Sequence, residues 1–391
     1  MIKRYRLLPV WILGAAMLVV AGCGPATTEV ATQPPSAPTE AEVPTATAPV
    51  QEEPIVLRVG GLLDADCWNP YTCASYWFFG HIVSEGFTDH GPSTQGCDGI
   101  PRLAKSWEVS EDGLTWTIHL YEGITFHDGM PGTAQKFADF MSWLASSETL
   151  KYWYPEALYL ESVEAIDDVT LRYTTSTPVI NSPDLDWIWW YMLNPKIWSE
   201  LDESEILTYE NMPPIGTGPF YLKEHVPGSY MIFDAWEKYH LGKPAIDRVV
   251  YQVYTNADAL VSAIMGGEID LTTAWMPPET YDALAAAPNI AIEEKAPGVW
   301  HELIFNMYPQ GKRHPAMADP AVREAIDYAI DKQYLVNVVL LGHGLTCPTN
   351  WGCGPNYEKE SNPDLVVTPF DLDKANEILD KAGYPDTDSY G

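Results

Sequence analysis

The sequence predicts an α/β fold of two domains behind an N-terminal leader and a stalk. Three observations carry this. Strand-patterned and helix-patterned segments alternate from residue 55 to residue 383. The helical segments are bracketed by capping residues and glycine stops. About 337 residues follow the stalk, which is enough chain for two domains and a sizeable core.

The leader comes first. Lys3, Arg4 and Arg6 give a basic start, Leu7 to Val20 is almost wholly apolar, and Val20-Ala21-Gly22-Cys23 brings small residues up to a cysteine. This is the pattern of a secretory signal peptide over residues 1–22. The apolar run is short for a bilayer core, which needs roughly 20 apolar residues. The last four residues resemble a lipobox, so Cys23 is expected to be lipidated. The expected location is the bacterial cell envelope, on the outer side of the cytoplasmic membrane, with membrane contact through the lipid alone. Gly24 to Pro54 contains no Lys, Arg, aromatic, Leu or Ile. Residues 23–54 therefore read as the lipidated cysteine and a disordered, Pro/Thr-rich linker, too polar to offset its own ordering entropy.

The elements follow in order. Ile55 to Gly60 reads as a strand ending in glycines. Ser75 to Phe87 carries apolar and aromatic residues at roughly helical spacing. Leu114 to Leu120 alternates as a half-buried strand after the turn Glu111-Asp112-Gly113. Phe126-His127-Asp128-Gly129 reads as a turn, and Thr133 caps a helix over about Ala134 to Leu144. Glu161 to Ile166 and Val169 to Tyr173 form a hairpin. Gly216-Thr217-Gly218-Pro219-Phe220 leads into a strand, without the Lys and Ser or Thr of a phosphate loop. Arg248 to Tyr254 is a strand, and Asn256 caps a helix that Gly266-Gly267 stops. Glu268 to Leu271 begins a short strand. Asp319-Pro320 opens a helix in the preferred N-cap and first-turn order. Further helices are expected over about Lys332 to Leu341 and Asp373 to Ala382.

Composition bounds the partners. Net charge is 22 − 54 = −32, a poor balance for nucleic acid or an anionic membrane. Fifteen Trp and twenty-two Tyr supply flat faces with polar tips, suited either to a core or to a cleft for peptides and sugars. With Cys23 assigned to lipid, Cys67–Cys73 and Cys347–Cys353 are candidate disulfides closing short loops. Cys97 is left over, or pairs instead with Cys67 or Cys73. No C-x-x-C spacing supports a zinc site with His81, His90 or His127, and neither a metal nor a cofactor is expected.

Several blocks taken together resemble one family. Pro101 to Thr117 is similar to "P-x-L-A-x-S-W-E-x-S-x-D-G-L-T-x-T" of the extracellular solute-binding proteins of family 5, the oligopeptide, dipeptide and nickel receptors of ABC importers. Gly123 to Pro131 resembles "G-V-x-F-H-D-G-x-P" of the same family. Gly216 to Phe220 and Gly267 to Asp270 resemble "G-T-G-P-[FY]" and "G-E-[IV]-D". Phe305-Asn306, on an expected strand, Val322 to Ala325 and Tyr328 to Asp331 complete the series.

The resemblance implies an α/β, two-lobed fold of the periplasmic-binding-protein type II. Lobe I is expected over 55–274, with an inserted subdomain at about 100–200, and a partial lobe II over 275–391. An incomplete second lobe is expected because family members continue past the helix ending at Gly383. The implied function is capture of a small solute by hinge closure and delivery to ABC permease subunits, with no chemistry performed. Peptides are the first expectation for the solute and oligosaccharides the alternative. Cleft residues expected from position in such a fold are Trp68, Asn69, Tyr71, Trp189, Trp190, Trp275, Trp300, His301 and Trp351, with core packing as the competing role for each. A secreted hydrolase is the rival of a different class. Its paired carboxylates, such as Asp64 and Asp66 or Glu293 and Glu294, are adjacent in sequence and not placed across a cleft by it.

Overall fold

The computed structural model describes residues 53–89, 100–151, 155–178, 191–272, 274, 276–293, 301–307, 314–349, 362 and 364–387. The leader, Cys23 and nearly all of the stalk lie outside this set.

The chain opens with β1 (Val56–Gly61), whose last three residues are buried, and enters helix α1 (Tyr76–Val83). A short pair, β2 (Thr88–Asp89) and β3 (Ile100–Pro101), follows. Next come β4 (Ala104–Val109), β5 (Thr115–Leu120), helix α2 (Ala134–Ser146), β6 (Leu160–Asp167) and β7 (Thr170–Thr175). The four strands make an antiparallel sheet in the order β4-β5-β7-β6. Alternation drives β5: Trp116, Ile118 and Leu120 are buried while their neighbours are half-exposed. Trp116 stands opposite Tyr173 in register, and the two rings stack 7° from parallel. Thr133 caps α2 through the Lys136 amide, as the sequence predicts. The helix buries Phe137, Phe140, Met141 and Leu144 against the sheet.

A second sheet completes the frame: β8 (Phe220–Val226), β9 (Tyr230–Ala235), β10 (Arg248–Val253) and β11 (Leu271–Thr272) join β1 in the order β11-β1-β10-β9-β8. β1 runs parallel to both β10 and β11, and β8-β9-β10 is an antiparallel meander. Helix α3 (Ala257–Met265) links β10 to β11, capped by Asn256 through the Ala259 amide. Later helices are α4 (Tyr281–Ala286), α5 (Pro320–Ala329) and α6 (Leu372–Lys381). Asp319 caps α5 at the Ala321 amide, and α5 packs on α6.

Several elements differ from the sequence reading. β4 and β9 are strands that it did not mark. β4 buries only Ala104, so its polar face hides the alternation. β9 alternates well, with Met231, Phe233 and Ala235 buried. β11 is two residues long, and Asp270 just ahead of it receives the Arg58 backbone amide at 2.9 Å and its guanidinium at 2.6 Å. The segment bearing Phe305-Asn306 forms no ladder among the described residues, and Leu303, Ile304 and Met307 are exposed. Extended, apolar sequence makes a strand only where a partner supplies the hydrogen bonds. The helix starting at Lys332 changes to a π turn over Leu335–Val339 before Gly342 ends it.

Candidate functional site

Three parallel strands, β1, β10 and β11, end at one edge of the larger sheet. The β10-α3-β11 crossover passes β1 and deposits β11 on its far side. In open α/β sheets this carboxyl edge, where strand order switches, is where ligands bind. The rim is built from the loop after β1, Thr255 and Asn256 after β10, Thr272 at the end of β11 and Ala274 beyond it.

Close packing explains the glycines at the end of β1. A Cβ on Gly61 would lie 1.8 Å from the Tyr251 hydroxyl, which donates to the Leu63 carbonyl at 3.0 Å. The Tyr254 amide donates to the Gly61 carbonyl at 2.8 Å, tying the rim of β10 to that of β1. The loop is then pinned by Asp64. One carboxylate oxygen accepts the Gly228 amide at 2.6 Å, and the other lies 3.0 Å from His225 Nε2. His225 Nδ1 faces the Trp68 indole N–H at 3.5 Å, so Nε2 is the nitrogen that carries the proton. Asp66 accepts from the Ser75 hydroxyl, and this bond holds its carboxyl below the usual range.

The Cys67–Cys73 disulfide is formed, and the ring it closes is anchored from within. Asn69 donates to the carbonyls of Ile206 and Tyr209 at 2.7 and 2.9 Å and accepts the Tyr71 amide at 2.9 Å. Tyr71 packs edge-on to Trp198. Trp68 sits among Tyr76, Phe79, His225 and Phe233. The three are 3%, 2% and 5% exposed for Trp68, Asn69 and Tyr71. The expectation that they line a cleft is corrected: burial and hydrogen bonding commit them to holding the loop, and only the loop's outer residues reach solvent. His301 is exposed, in the segment 301–307. Trp189, Trp190, Trp275, Trp300, Trp351 and Cys353 lie outside the described residues. Cys347 is disulfide-bonded.

The sequence blocks Phe126 to Gly129 and Gly216 to Phe220 meet in space. His127 Nε2 donates to the Gly218 carbonyl at 3.0 Å, Nδ1 faces the Gly216 amide at 3.4 Å, and the His127 amide donates to the Gly216 carbonyl at 2.9 Å. Burial lowers the His127 pKa to about 4, outweighing the Gly218 bond and the nearby Asp128, so the ring is neutral. Asp128 turns away, accepting from the Met130 amide and the Asn194 side chain. The His-Asp pair is therefore a turn and a clamp. Among the described residues no group of three or more His, Cys, Asp or Glu could hold a metal ion. A cavity of about 390 Å³ opens beside Tyr209 and Asn211, on the segment that receives the Asn69 side chain.

This architecture has known counterparts. The family described as "Bacterial extracellular solute-binding proteins, family 5 Middle" matches residues 99–391. The chain belongs to this family. Among curated family 5 relatives, the nickel-binding periplasmic protein of Escherichia coli is 28% identical over 295 residues, 73% of this chain and 53% of that protein. The oligopeptide-binding protein AppA of Bacillus subtilis is 28% identical over 305 residues, 74% of this chain and 52% of that protein. The chain thus spans about half the length of these relatives. Of the solved structures, a mannohexaose-bound periplasmic oligopeptide-binding protein from Thermotoga maritima superposes with a TM-score of 0.70 at 23% identity, over 87% of this chain and 64% of that one. The peptide-bound DppA of Helicobacter pylori gives 0.68 at 24% identity, over 85% and 67%. The fold is that of the two-lobed periplasmic binding proteins, α/β as the sequence predicts.

What sequence reasoning missed is the supporting role of Asp64, His225 and His127. Each acts through a partner far away in the chain, so spacing carries no signal for them.

Proposed function

We propose that the protein is the solute-capturing receptor of an ABC importer, taking up a small peptide-like solute outside the cytoplasmic membrane and presenting it to the permease subunits. Membership of family 5 together with the carboxyl edge of β1, β10 and β11 carries this reading. The rim is preorganised: the Cys67–Cys73 ring, the Asp64-His225 pair and the Tyr251 hydroxyl hold the loop after β1 without using its outer surface. Solute contacts are assigned to His301 and to Trp189, Trp190, Trp275, Trp300 and Trp351. Flat tryptophan faces suit an extended peptide or a sugar ring. A solute touching both lobes favours the closed form by its differential affinity, and the permease recognises that form. Lipidated Cys23 and the linker hold the domain near the membrane.

No bond-making step is assigned. Two carboxylates near this edge are engaged in holding the loop, Asp64 by an amide and an imidazole and Asp66 by a hydroxyl. A thermal-shift panel of di- to pentapeptides, cello- and manno-oligosaccharides and metal chelates tests the reading. Stabilisation by a peptide that is recovered unchanged supports it. Stabilisation by sugars alone replaces the solute class, and turnover of any solute contradicts the receptor role.

A further inference from the structure

Below the carboxyl edge, at the far end of α1, lies a buried carboxyl group that solute capture does not use. Glu85 follows α1 and its side chain is 3% exposed. Its Oε1 accepts from the Tyr239 hydroxyl at 2.6 Å. Among the described residues its Oε2 has no hydrogen-bond partner, and it lies 4.0 Å from His240 Nδ1, on a ring whose side chain is 1% exposed. The other ring nitrogen, Nε2, is 2.9 Å from the Arg102 carbonyl, which can only accept. Nε2 therefore carries the proton, and in the neutral ring Nδ1 presents a lone pair to Oε2. With Glu85 ionised, two unprotonated acceptors would face each other away from water.

The Tyr239 hydroxyl and the Arg102 guanidinium favour that charge, but burial outweighs them. Tyr239 and His240 come from the β9–β10 connection, and Tyr121, at the end of β5, packs on His240. Arg102 and Asp89 flank the β2–β3 pair, where the Arg102 guanidinium is paired with Asp89 at 2.7 Å. His81 of α1 feels the same Asp89 and Arg102. The Thr217 hydroxyl favours the ionised form without making a well-directed hydrogen bond. These groups come from α1, the β2–β3 pair, the lead-in to β8 and the β9–β10 connection. They form a seam where the larger sheet meets the elements inserted between β1 and β8.

We propose that Glu85 is held protonated against the His240 Nδ1 lone pair in the folded protein, and that releasing this proton to solvent loosens this seam. In the release step the Glu85 O–H bond breaks, the proton passes to water or buffer base, and the carboxylate is left. Burial raises the Glu85 pKa to about 7 and lowers that of His240, so the proton resides on the carboxyl group. The sign follows from linkage. A carboxyl group whose folded pKa lies above its unfolded value binds more protons when folded, so stability falls as pH rises from about 4.5 to about 7 and stays low above. The protein is expected to be tighter in mildly acidic surroundings than in alkaline ones.

The test is urea denaturation of the purified chain and its Glu85→Gln variant at about pH 5.5 and about pH 8.5. Gln copies the neutral acid: its oxygen accepts from Tyr239, and its amide faces Nδ1. The wild-type folding equilibrium constant should lose a component of about 30-fold between the two pH values that the variant lacks. Parallel pH profiles overturn the proposal. So does a uniform loss of stability with an unchanged slope, because a purely structural Glu85 would give that. Carbon-13 titration of glutamate-labelled wild type keeps the test alive if the variant does not fold. One carboxyl resonance titrating near neutral pH is expected, and its absence overturns the proposal.

Discussion

Replacing Gly216 with alanine should pry apart the two segments that the family's glycine block brings together. A Cβ built at Gly216 falls 2.1 Å from the Val83 carbonyl oxygen and 2.4 Å from Ser84 Oγ. Ordinary contact begins near 3.4 Å, so the backbones must separate by about 1.3 Å. The same Val83 oxygen accepts the Gly218 amide at 2.9 Å, and Gly216 and Gly218 both bond His127. Forced overpacking costs about 1–3 kcal/mol. A net hydrogen bond contributes about 1 kcal/mol. The Gly216→Ala change should therefore destabilise by about 2–4 kcal/mol. Gly228→Ala is the control. Its φ of +72° meets open space, so only the left-handed conformation is penalised, by about 1–2 kcal/mol. Urea midpoints at constant slope measure both. A Gly216→Ala protein within 0.5 kcal/mol of wild type would refute the close approach, and with it the reading of this block as a packing device.

Trp68→Ala should cost about 3–5 kcal/mol in the same assay, because the ring is enclosed by Tyr76, Phe79 and Phe233; a small loss accompanied by weakened solute binding would return Trp68 to the cleft. His127 pulls stability the opposite way from Glu85. Its folded pKa of about 4 lies below the unfolded value, so stability should fall by about 2–3 kcal/mol as pH drops from about 6.5 to about 4, and His127→Gln should flatten that limb of the pH profile. Replacing Cys67 and Cys73 by serine should cost about 2 kcal/mol from loop entropy, measured under oxidising conditions, with no loss if the ring is held by Asn69 alone.

Local chemistry was the legible part of this fold. Thr133, Asn256 and Asp319 cap the helices that their sequence context marks, because a cap and its amide lie two or three residues apart. The turn at Phe126 to Gly129 is local in the same way, with the Gly129 amide bonding the Phe126 carbonyl. β4 was hidden because five of its six residues are not buried, leaving no apolar alternation to read. The site was harder. Trp68, Asn69 and Tyr71 follow the first strand, where a cleft loop was expected. Their side chains instead meet His225, Ile206 and Trp198, more than a hundred residues away. Residue type cannot say whether an aromatic side chain faces a solute or a distant core partner. Glu85, Arg102 and His240 meet for the same kind of reason, through pairing of elements that sequence spacing does not encode.

The most direct measurement of the central claim is calorimetric titration of the protein, expressed from its natural gene, with the best stabiliser from the solute panel, followed by mass spectrometry of the recovered solute. The expected result is saturable binding of one solute class, with the solute returned intact and a smaller radius of gyration in the bound state. A folded protein that binds none of the panel, or one that returns the solute cleaved, would contradict the account.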